Sequence, residues 1–403
     1  MTNKVYIERK RYFDRIRPFI DKDLIKVITG QRRVGKSYFL LQVIDFVKKT
    51  SPDGQIIFIN KELEEFSEIT NHIELLKYVK SQFVSKKGKI YLFVDEVQDI
   101  KDFEKALRNF HAEGNYDIYI TGSNAALLSG ELSTLLAGRY IEFQMNSLSY
   151  PEFLFFHELE NSEDSLMKYI KYGGLPYLIN LDLNDEVVYE YIKSIYNSIV
   201  LKDIVARYQI RNVFLLDNLN RFLADNVGSL LSAKRISDFL KSQHLDYSPR
   251  VIINYLSYLT NSFFVHRVRR ANLQGRKIFE INDKYYFEDL GLRHSIIRFS
   301  NNDINKVLEN LVFKHLIYCG YSVFVGQFGK KEIDFWCEKE GNSIYVQVVY
   351  LIPDQKTHQR EFGNLNEIKD NYPKYVVSMD PIAGEPYQGI LHMHILDFLN
   401  SDL

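Results

Sequence analysis

The apolar positions fall into two regimes along the chain. Up to about residue 150, short apolar runs at 24–29, 55–60, 89–95, 117–121 and 140–145 alternate with helix-like stretches at 37–49, 73–84 and 103–111. Strand and helix alternating at this spacing predict a parallel sheet covered on both faces. Residues 1 to about 20 mix charges with aromatics and predict a helix ahead of the first strand. A further helix is expected over 125–135.

After Ser149-Tyr150-Pro151-Glu152-Phe153 the alternation stops. Residues 152–230 read as mostly helical, interrupted by Tyr172-Gly173-Gly174-Leu175-Pro176, a turn that sets the angle between two helices. Helical runs at 221–231 and 234–242 then precede Ser248-Pro249, an N-cap and first-turn proline for a third helix over 250–259. Strand-like runs at 263–268 and 277–281 flank Ala271-Asn272-Leu273-Gln274-Gly275. Three helices and a two-stranded wing make a winged-helix pattern. Arg250, Asn254, Ser257 and Asn261 share one face of the third helix. With Arg267, Arg269, Arg270, Arg276 and Lys277 they make residues 248–277 a candidate contact for DNA phosphates. The third helix carries a single cation, so a solvated face is the competing reading. From residue 283 the pattern changes again, to a helix over 308–319 carrying Glu309 and strands over 322–325, 332–337 and 343–350.

The sharpest chemical signal lies between the first strand and the helix that follows it. Gly30-Gln31-Arg32-Arg33-Val34-Gly35-Lys36-Ser37 reads as glycine, four residues, then Gly-Lys-Ser. Glycines let successive backbone N–H groups curl around a phosphate, and the helix starting near Lys36 points its positive end at the same place. Lys36 would reach the terminal phosphates and Ser37 would offer a hydroxyl to Mg²⁺. The apolar run ending at Val94-Asp95-Glu96-Val97-Gln98 supplies the partner. Asp95 falls at the carboxyl end of a buried strand, where open α/β sheets bind ligands. There it can hold Mg²⁺ through water, while Glu96 orients or deprotonates the attacking water. Thr121-Gly122-Ser123-Asn124 ends the fourth strand. Ser123 and Asn124 read equally as a phosphate sensor and as a helix N-cap. Leu136-Ala137-Gly138-Arg139 precedes the fifth strand, and Arg139 on its own reads as a surface arginine after a helix-ending glycine.

Composition narrows the classes. A chain of 403 residues allows two or three domains, and its net charge of −1 advertises no global field for nucleic acid or membrane, so any such site is a local patch. Tyr and Phe number 28 each against one Trp, which points to aromatic-rich cores. Cys319 and Cys337 are too few for a disulfide framework or a zinc site of their own. Residues 1–10 hold no apolar signal core and no stretch approaches a membrane span, so a cytoplasmic protein without a membrane partner is expected.

Taken together, the Gly30–Ser37 loop, Val94-Asp95-Glu96-Val97-Gln98, Thr121-Gly122-Ser123-Asn124 and Leu136-Ala137-Gly138-Arg139 resemble a family of prokaryotic AAA-type P-loop ATPases, over roughly residues 15–155. The resemblance implies ATP and Mg²⁺ as ligands, hydrolysis to ADP and phosphate, and a sheet in the order 5-1-4-3-2. It implies nucleotide contacts from Gly30, Arg32, Arg33, Val34, Gly35, Lys36, Ser37, Tyr38 and Ser123, and a metal held by Ser37 and Asp95. Glu96, Lys36, Asn124 and Arg139 become the catalytic set, Arg139 acting in its own chain or in a neighbour's. More loosely, over 170–400, the resemblance extends to a DUF4143-like region with winged-helix and restriction-endonuclease-like parts.

The implied fold class is α/β, with an ATPase domain over 1–150, a helical connector over 151–219, a winged-helix-like domain over 220–282 and an endonuclease-like domain over 283–403. In that nuclease fold Asp334 is present, but Gln347 stands where an acid is expected and Val349 where a lysine is. An amide is a poor Mg²⁺ ligand and valine cannot orient water, so no nuclease activity is expected unless Lys330 or Lys331 substitutes. The leading expectation is an ATPase that drives or gates a C-terminal binding module, with DNA, a homo-oligomer or a protein partner as candidate loads. The alternatives are a nucleotide-gated DNA-binding regulator and, less favoured, an ATP-dependent nuclease.

Overall fold

The first five apolar runs form one parallel sheet. β1 (Ile25–Thr29), β2 (Gln55–Asn60), β3 (Ile90–Asp95), β4 (Tyr116–Gly122) and β5 (Tyr140–Gln144) pair in the order β2-β3-β4-β1-β5, the order expected for this class. The computed structural model describes residues 6–82, 88–128, 136–275, 277–279, 282–381 and 386–403. The ends of the expected helices over 73–84 and 125–135 lie outside those residues.

β1, β3 and β4 are buried at every position because helices cover both faces. Alternate residues along them feed two cores. Ile25, Val27, Leu92, Val94, Ile118 and Ile120 pack with α3 (His72–Ser81) and α4 (Phe103–Glu113). Ile28, Tyr91, Phe93 and Tyr119 pack with α1 (Lys10–Ile16) and α2 (Lys36–Thr50). Lys26 breaks the apolar run of β1 yet is fully buried. Its ammonium pairs with Asp117 of β4 and donates to the Lys22 carbonyl at 2.9 Å. Asp117 also accepts from the Tyr119 hydroxyl and the Asp21 amide, each at 2.8 Å, so the buried charges are fully engaged.

The second compact unit comprises residues 147–260 and 264–403, while 261–263 group with the first. It opens with a helix at Tyr150–His157 closed by a capping box, in which Ser149 and Glu152 each bond the other's backbone amide. The Gly173-Gly174 turn is held by Asp289. A Cβ on Gly173, whose φ is +77°, would lie 2.2 Å from the Asp289 Oδ1, and the Gly174 amide donates to Oδ2 at 2.7 Å. The helix expected over 221–231 instead runs at Val213–Asp225. Asn212 caps it by accepting from the Leu215 amide, and Gly228, at φ +73°, turns the chain soon after it ends. Ala233–Ser242 and Pro249–Asn261 follow as expected.

The wing differs from expectation. β6 (Val265–Val268) pairs antiparallel with β9 (Lys284–Phe287) and not with 277–281. Two side-chain contacts accompany that pairing, the His266 ring with Glu288 and Arg267 with Asp283, each at 2.5 Å. The hairpin of β7 (Arg270–Asn272) and β8 (Lys277–Ile278) joins a seven-stranded mixed sheet with β10 (Ser322–Phe328), β11 (Lys331–Lys339), β12 (Asn342–Val348), β13 (Lys374–Ser378) and β14 (Leu391–His394). Among the described residues no helix is long and apolar enough to cross a membrane.

Two histidines tie stability to pH. Burial pushes the imidazole of His294 down to about 3, helped by the adjacent Arg293 guanidinium, and burial alone pushes His157 down to about 4. Both stay neutral in the folded protein but take a proton near pH 6.5 once unfolded. Their contribution is therefore present above about pH 6.5 and is lost as pH falls toward those depressed values. The thermal midpoint should drop between pH 6.5 and 4, and His157→Phe should make the drop shallower. A flat wild-type profile over that range would contradict this account.

Candidate nucleotide site

The loop after β1 is shaped by backbone conformations that most side chains resist. Gly30 leaves the strand at φ +146°, and a Cβ there would lie 2.1 Å from the Met145 carbonyl oxygen. Gly35, at φ +101°, begins α2. Arg33 also sits in the left-handed region, at φ +72°, a conformation costly for a residue with a Cβ. The loop is braced from behind by Arg9, only 4% exposed. Its guanidinium donates to the carbonyls of Val34 and Asn146, each at 3.2 Å, and lies 4.6 Å over the Tyr12 ring. The Tyr12 hydroxyl in turn accepts from the Asn146 amide at 3.1 Å.

Inside the loop, the Lys36 ammonium donates to the carbonyls of Gly30 and Gln31, each at 3.0 Å, and lies 3.8 Å from a Glu96 carboxylate oxygen. The Gln31 amide is wholly buried, and neither end has a partner among the described residues. Parallel pairing brings the other strand ends alongside, with Thr29 level with Gly122 and Asn60 level with Asp95. Thr121 joins them. Its hydroxyl donates to one oxygen of Asp95 and accepts from the Glu96 amide at 2.9 Å. Glu96 turns into the left-handed region at φ +55°, and its carboxylate accepts from the Gln98 side chain, whose Nε2 is also 3.5 Å from the Ser123 hydroxyl.

The two acids differ in character. Burial raises the Asp95 carboxyl above its usual range, against hydrogen bonds from Ser37 and Thr121. Burial would raise Glu96 too, but the Lys36 charge, the Gln98 hydrogen bond and Arg32 draw it below its usual range. The second oxygen of Asp95 is buried with no partner among the described residues. An unpartnered oxygen on a carboxylate that also takes a hydrogen bond from Ser37 suits Mg²⁺, which takes few protein ligands and completes its shell with phosphates and water. No group of three or more His, Cys, Asp or Glu among the described residues is arranged to hold a metal unaided.

Not every sequence candidate converges here. Arg32 is held at the loop by Glu62 at 3.2 Å, whereas Arg33 and Tyr38 are exposed and Val34 is buried in the core behind the loop. Ser123 and Asn124 are fully buried at the end of β4, and the Asn124 carbonyl accepts from the Leu127 amide of the 3₁₀ turn Ala125–Leu128. Arg139 is exposed, and its carbonyl accepts from the Ile25 amide at the amino end of β1. Five strand residues at about 3.3 Å each put it roughly 16 Å from the loop, so it does not join the site of its own chain. Thr121 and Gln98 sat inside quoted motifs without being assigned a role. Arg9 gave no local signal.

The basic face of the second unit is reduced. Arg250, Asn254 and Ser257 are exposed along one side of Pro249–Asn261, and Asn261 is half-buried. Arg267 is paired with Asp283, and Arg270 stacks 4.6 Å over Phe279. Arg269 and Lys277 are exposed, and Arg276 lies outside the described residues. At the nuclease-like position the Gln347 side chain accepts from the Asp334 amide at 3.3 Å, and Val349 is packed in the core. Lys330 is exposed and Lys331 pairs with Glu367 at 2.6 Å, so neither replaces the missing lysine.

The Arg9 brace is testable by itself. Arg9→Met keeps the bulk but leaves two buried carbonyls without donors, a loss of about 1–3 kcal/mol for each unsatisfied group. The thermal midpoint should fall and the phosphate affinity of the loop should weaken. An unchanged midpoint would show that the brace carries no weight.

Comparison with known proteins agrees with the geometry of the first unit. Residues 22–154 match a family described as AAA domain. Residues 163–303 match a domain of unknown function, DUF8612, which replaces the DUF4143-like region expected from the sequence. The chain is 37% identical over 404 residues to an uncharacterized protein of Haemophilus influenzae, covering 98% of this chain and 99% of that one. It is 30% identical over 369 residues to the uncharacterized protein MJ1544 of Methanocaldococcus jannaschii, covering 86% of this chain and 79% of that one. Among solved structures, the Aeropyrum pernix ORC1 protein in complex with DNA aligns over 72% of this chain and 92% of that chain, at 12% identity and a TM-score of 0.35, too loose a likeness to argue from. On its phosphate loop, its sheet order and these nearly full-length relatives, the chain belongs to a family of prokaryotic AAA-domain proteins that includes the uncharacterized proteins of H. influenzae and M. jannaschii.

Proposed function

We propose that the first unit hydrolyses ATP with Mg²⁺ and that this turnover drives or gates a binding function of the second. The observation that carries this reading is the meeting of Lys36, Asp95, Glu96 and Thr121 at aligned strand ends, with one Asp95 oxygen left open. Loop amides and Lys36 would hold the phosphates, and Ser37 and Asp95 would hold the metal, which when bound neutralises charge on the transferred phosphoryl group. Glu96, kept ionised beside Lys36, would be in the charge state that accepts a proton from water. Phosphates would compete for the same ammonium, so nucleotide binding loosens the Lys36–Glu96 contact and frees the carboxylate for water.

Lys36→Ala should abolish nucleotide binding. Glu96→Gln should leave binding near wild type and cut turnover on the order of 10²–10⁴-fold, the usual worth of a general base. Phosphate release and nucleotide titration measure the two separately. Wild-type turnover by Glu96→Gln would remove that residue from the chemistry.

Arg139 is exposed and far from its own loop, so in this reading it serves only a neighbouring chain's nucleotide. Arg139→Ala and Glu96→Gln, each slow alone, should recover part of the hydrolysis when mixed, because a mixed pair contains one complete site. No recovery at any ratio would exclude Arg139 from the reaction.

The exposed face of Pro249–Asn261, with Arg269 and Lys277, supports a second reading in which bound nucleotide sets DNA affinity with little turnover. DNA titrations with ATP, ADP and no nucleotide separate the two, since salt-sensitive affinity should differ among the three states.

A further inference from the structure

The glutamate just beyond β3 is held by more than the phosphate loop. Its two carboxylate oxygens face different partners. Oε1 lies 3.8 Å from the Lys36 ammonium, while Oε2 accepts from the Nε2 of Gln98, two positions on in the 3₁₀ turn Val97–Asp99. The left-handed backbone at Glu96 opens that turn, and the Asp99 amide closes it by donating to the Glu96 carbonyl at 3.1 Å. Only the NH₂ end of the Gln98 amide can face the anion, because the carbonyl end would repel it. The carbonyl oxygen is turned the other way and is buried with no partner among the described residues. It lies against Gly122, where a Cβ would come within 2.8 Å of it. A side chain placed only to fill space would do better with both ends satisfied or in water, so the bond to Glu96 is what sets this amide.

We infer that Gln98 is a positioning residue for hydrolysis: it holds Oε2 of Glu96 and so presents Oε1, the oxygen toward the loop, as the one that takes the proton from water. This role rests on the action proposed for Glu96. The two oxygens differ in what they can do. Oε2 is already committed to an amide, whereas the Lys36 partner of Oε1 stands beyond hydrogen-bond range. In the step, the water O–H bond breaks as its oxygen bonds to the terminal phosphorus. The bond from that phosphorus to the ADP oxygen breaks with its electron pair staying on ADP, and the proton rests on Oε1. Oε2 is then the carbonyl oxygen of the acid and still accepts from Nε2, so the brace holds before and after transfer. It also favours the ionised base. Burial would raise the Glu96 carboxyl, and Lys36, Gln98, Arg32 and Ser123 draw it down, with Asp95 as the acid beside it.

The test uses the full-length protein with ATP and Mg²⁺, measuring phosphate release and nucleotide affinity separately. Gln98→Met keeps the length of the side chain without its donor. It should leave affinity near wild type and cut kcat on the order of 10–10²-fold, the cost of displacing a reacting group by about 1 Å. The acid limb of its pH–rate profile should move to higher pH, because Glu96 loses a bond that favours its charged form. Added to Glu96→Gln, Gln98→Met should slow turnover no further, since a residue acting through Glu96 has nothing left to position. Wild-type kcat and pH profile in Gln98→Met, beside a slow Glu96→Gln, would overturn the role of Gln98 and leave that of Glu96 standing. So would an equal further loss in the double variant. Wild-type turnover by Glu96→Gln would overturn both. Should Gln98→Met fail to fold, Gln98→Asn, one methylene too short to reach Glu96, is expected to give the same three results, and wild-type behaviour from it overturns the role.

Discussion

One hydroxyl holds the candidate site in register. Thr121, next to last in β4, reaches sideways to β3, donating to Asp95 and accepting from the Glu96 amide. It can do so only because the parallel strands end level with one another. With that amide engaged, the chain turns left-handed at Glu96 and delivers its carboxylate toward Lys36 instead of continuing the strand. The acid pair thus diverges from adjacent positions, one carboxyl kept under Thr121 and the other aimed at the loop. A strained backbone at this position is stable because both flanking groups over-determine it.

The sequence made legible whatever depends on local spacing. Glycines at 30 and 35 imply a loop that must adopt positive φ, and the apolar run of β3 implies where Asp95 emerges, so the phosphate side of the site could be read without coordinates. What depended on distant partners could not be read. Arg9 supports Val34 from 25 positions away, and Lys26 looks like an exposed alternation error until Asp117, 91 positions on, appears beside it. Arg139 shows the same limit from the other side. Its motif marks a place in the family pattern, but only strand direction reveals that it sits at the wrong end of the sheet for its own loop. The wing failed for a related reason. Any apolar run can pair with any other, and β6 pairs where His266 meets Glu288 and Arg267 meets Asp283, not across the turn residues between 271 and 275.

Buried lysines recur in this chain, and comparing them separates structural from functional charge. Lys26 pairs with Asp117, Lys314 with Glu288 and Lys284 with Glu309, each in direct contact with a carboxylate. For Lys284, burial would strip the proton, but Glu309, Asp334 and Glu332 together outweigh it and hold the ammonium charged. Such pairs are expensive to break, because removing one member leaves the other buried and uncompensated, at about 3–5 kcal/mol. They lock.

Lys36 is built differently. Its hydrogen bonds go to two neutral carbonyls, and its nearest carboxylate stands off at 3.8 Å. Exchanging those carbonyls for phosphate oxygens trades neutral acceptors for charged ones, roughly doubling the strength of each bond, and strands no buried anion, since Glu96 has Gln98 as a second partner. The same residue type, equally buried, is therefore fixed where carboxylates touch it and exchangeable where carbonyls do. By that criterion Lys36 is a buried lysine that a ligand can recruit, whereas Lys284 is locked by the carboxylates of Glu309 and Glu332.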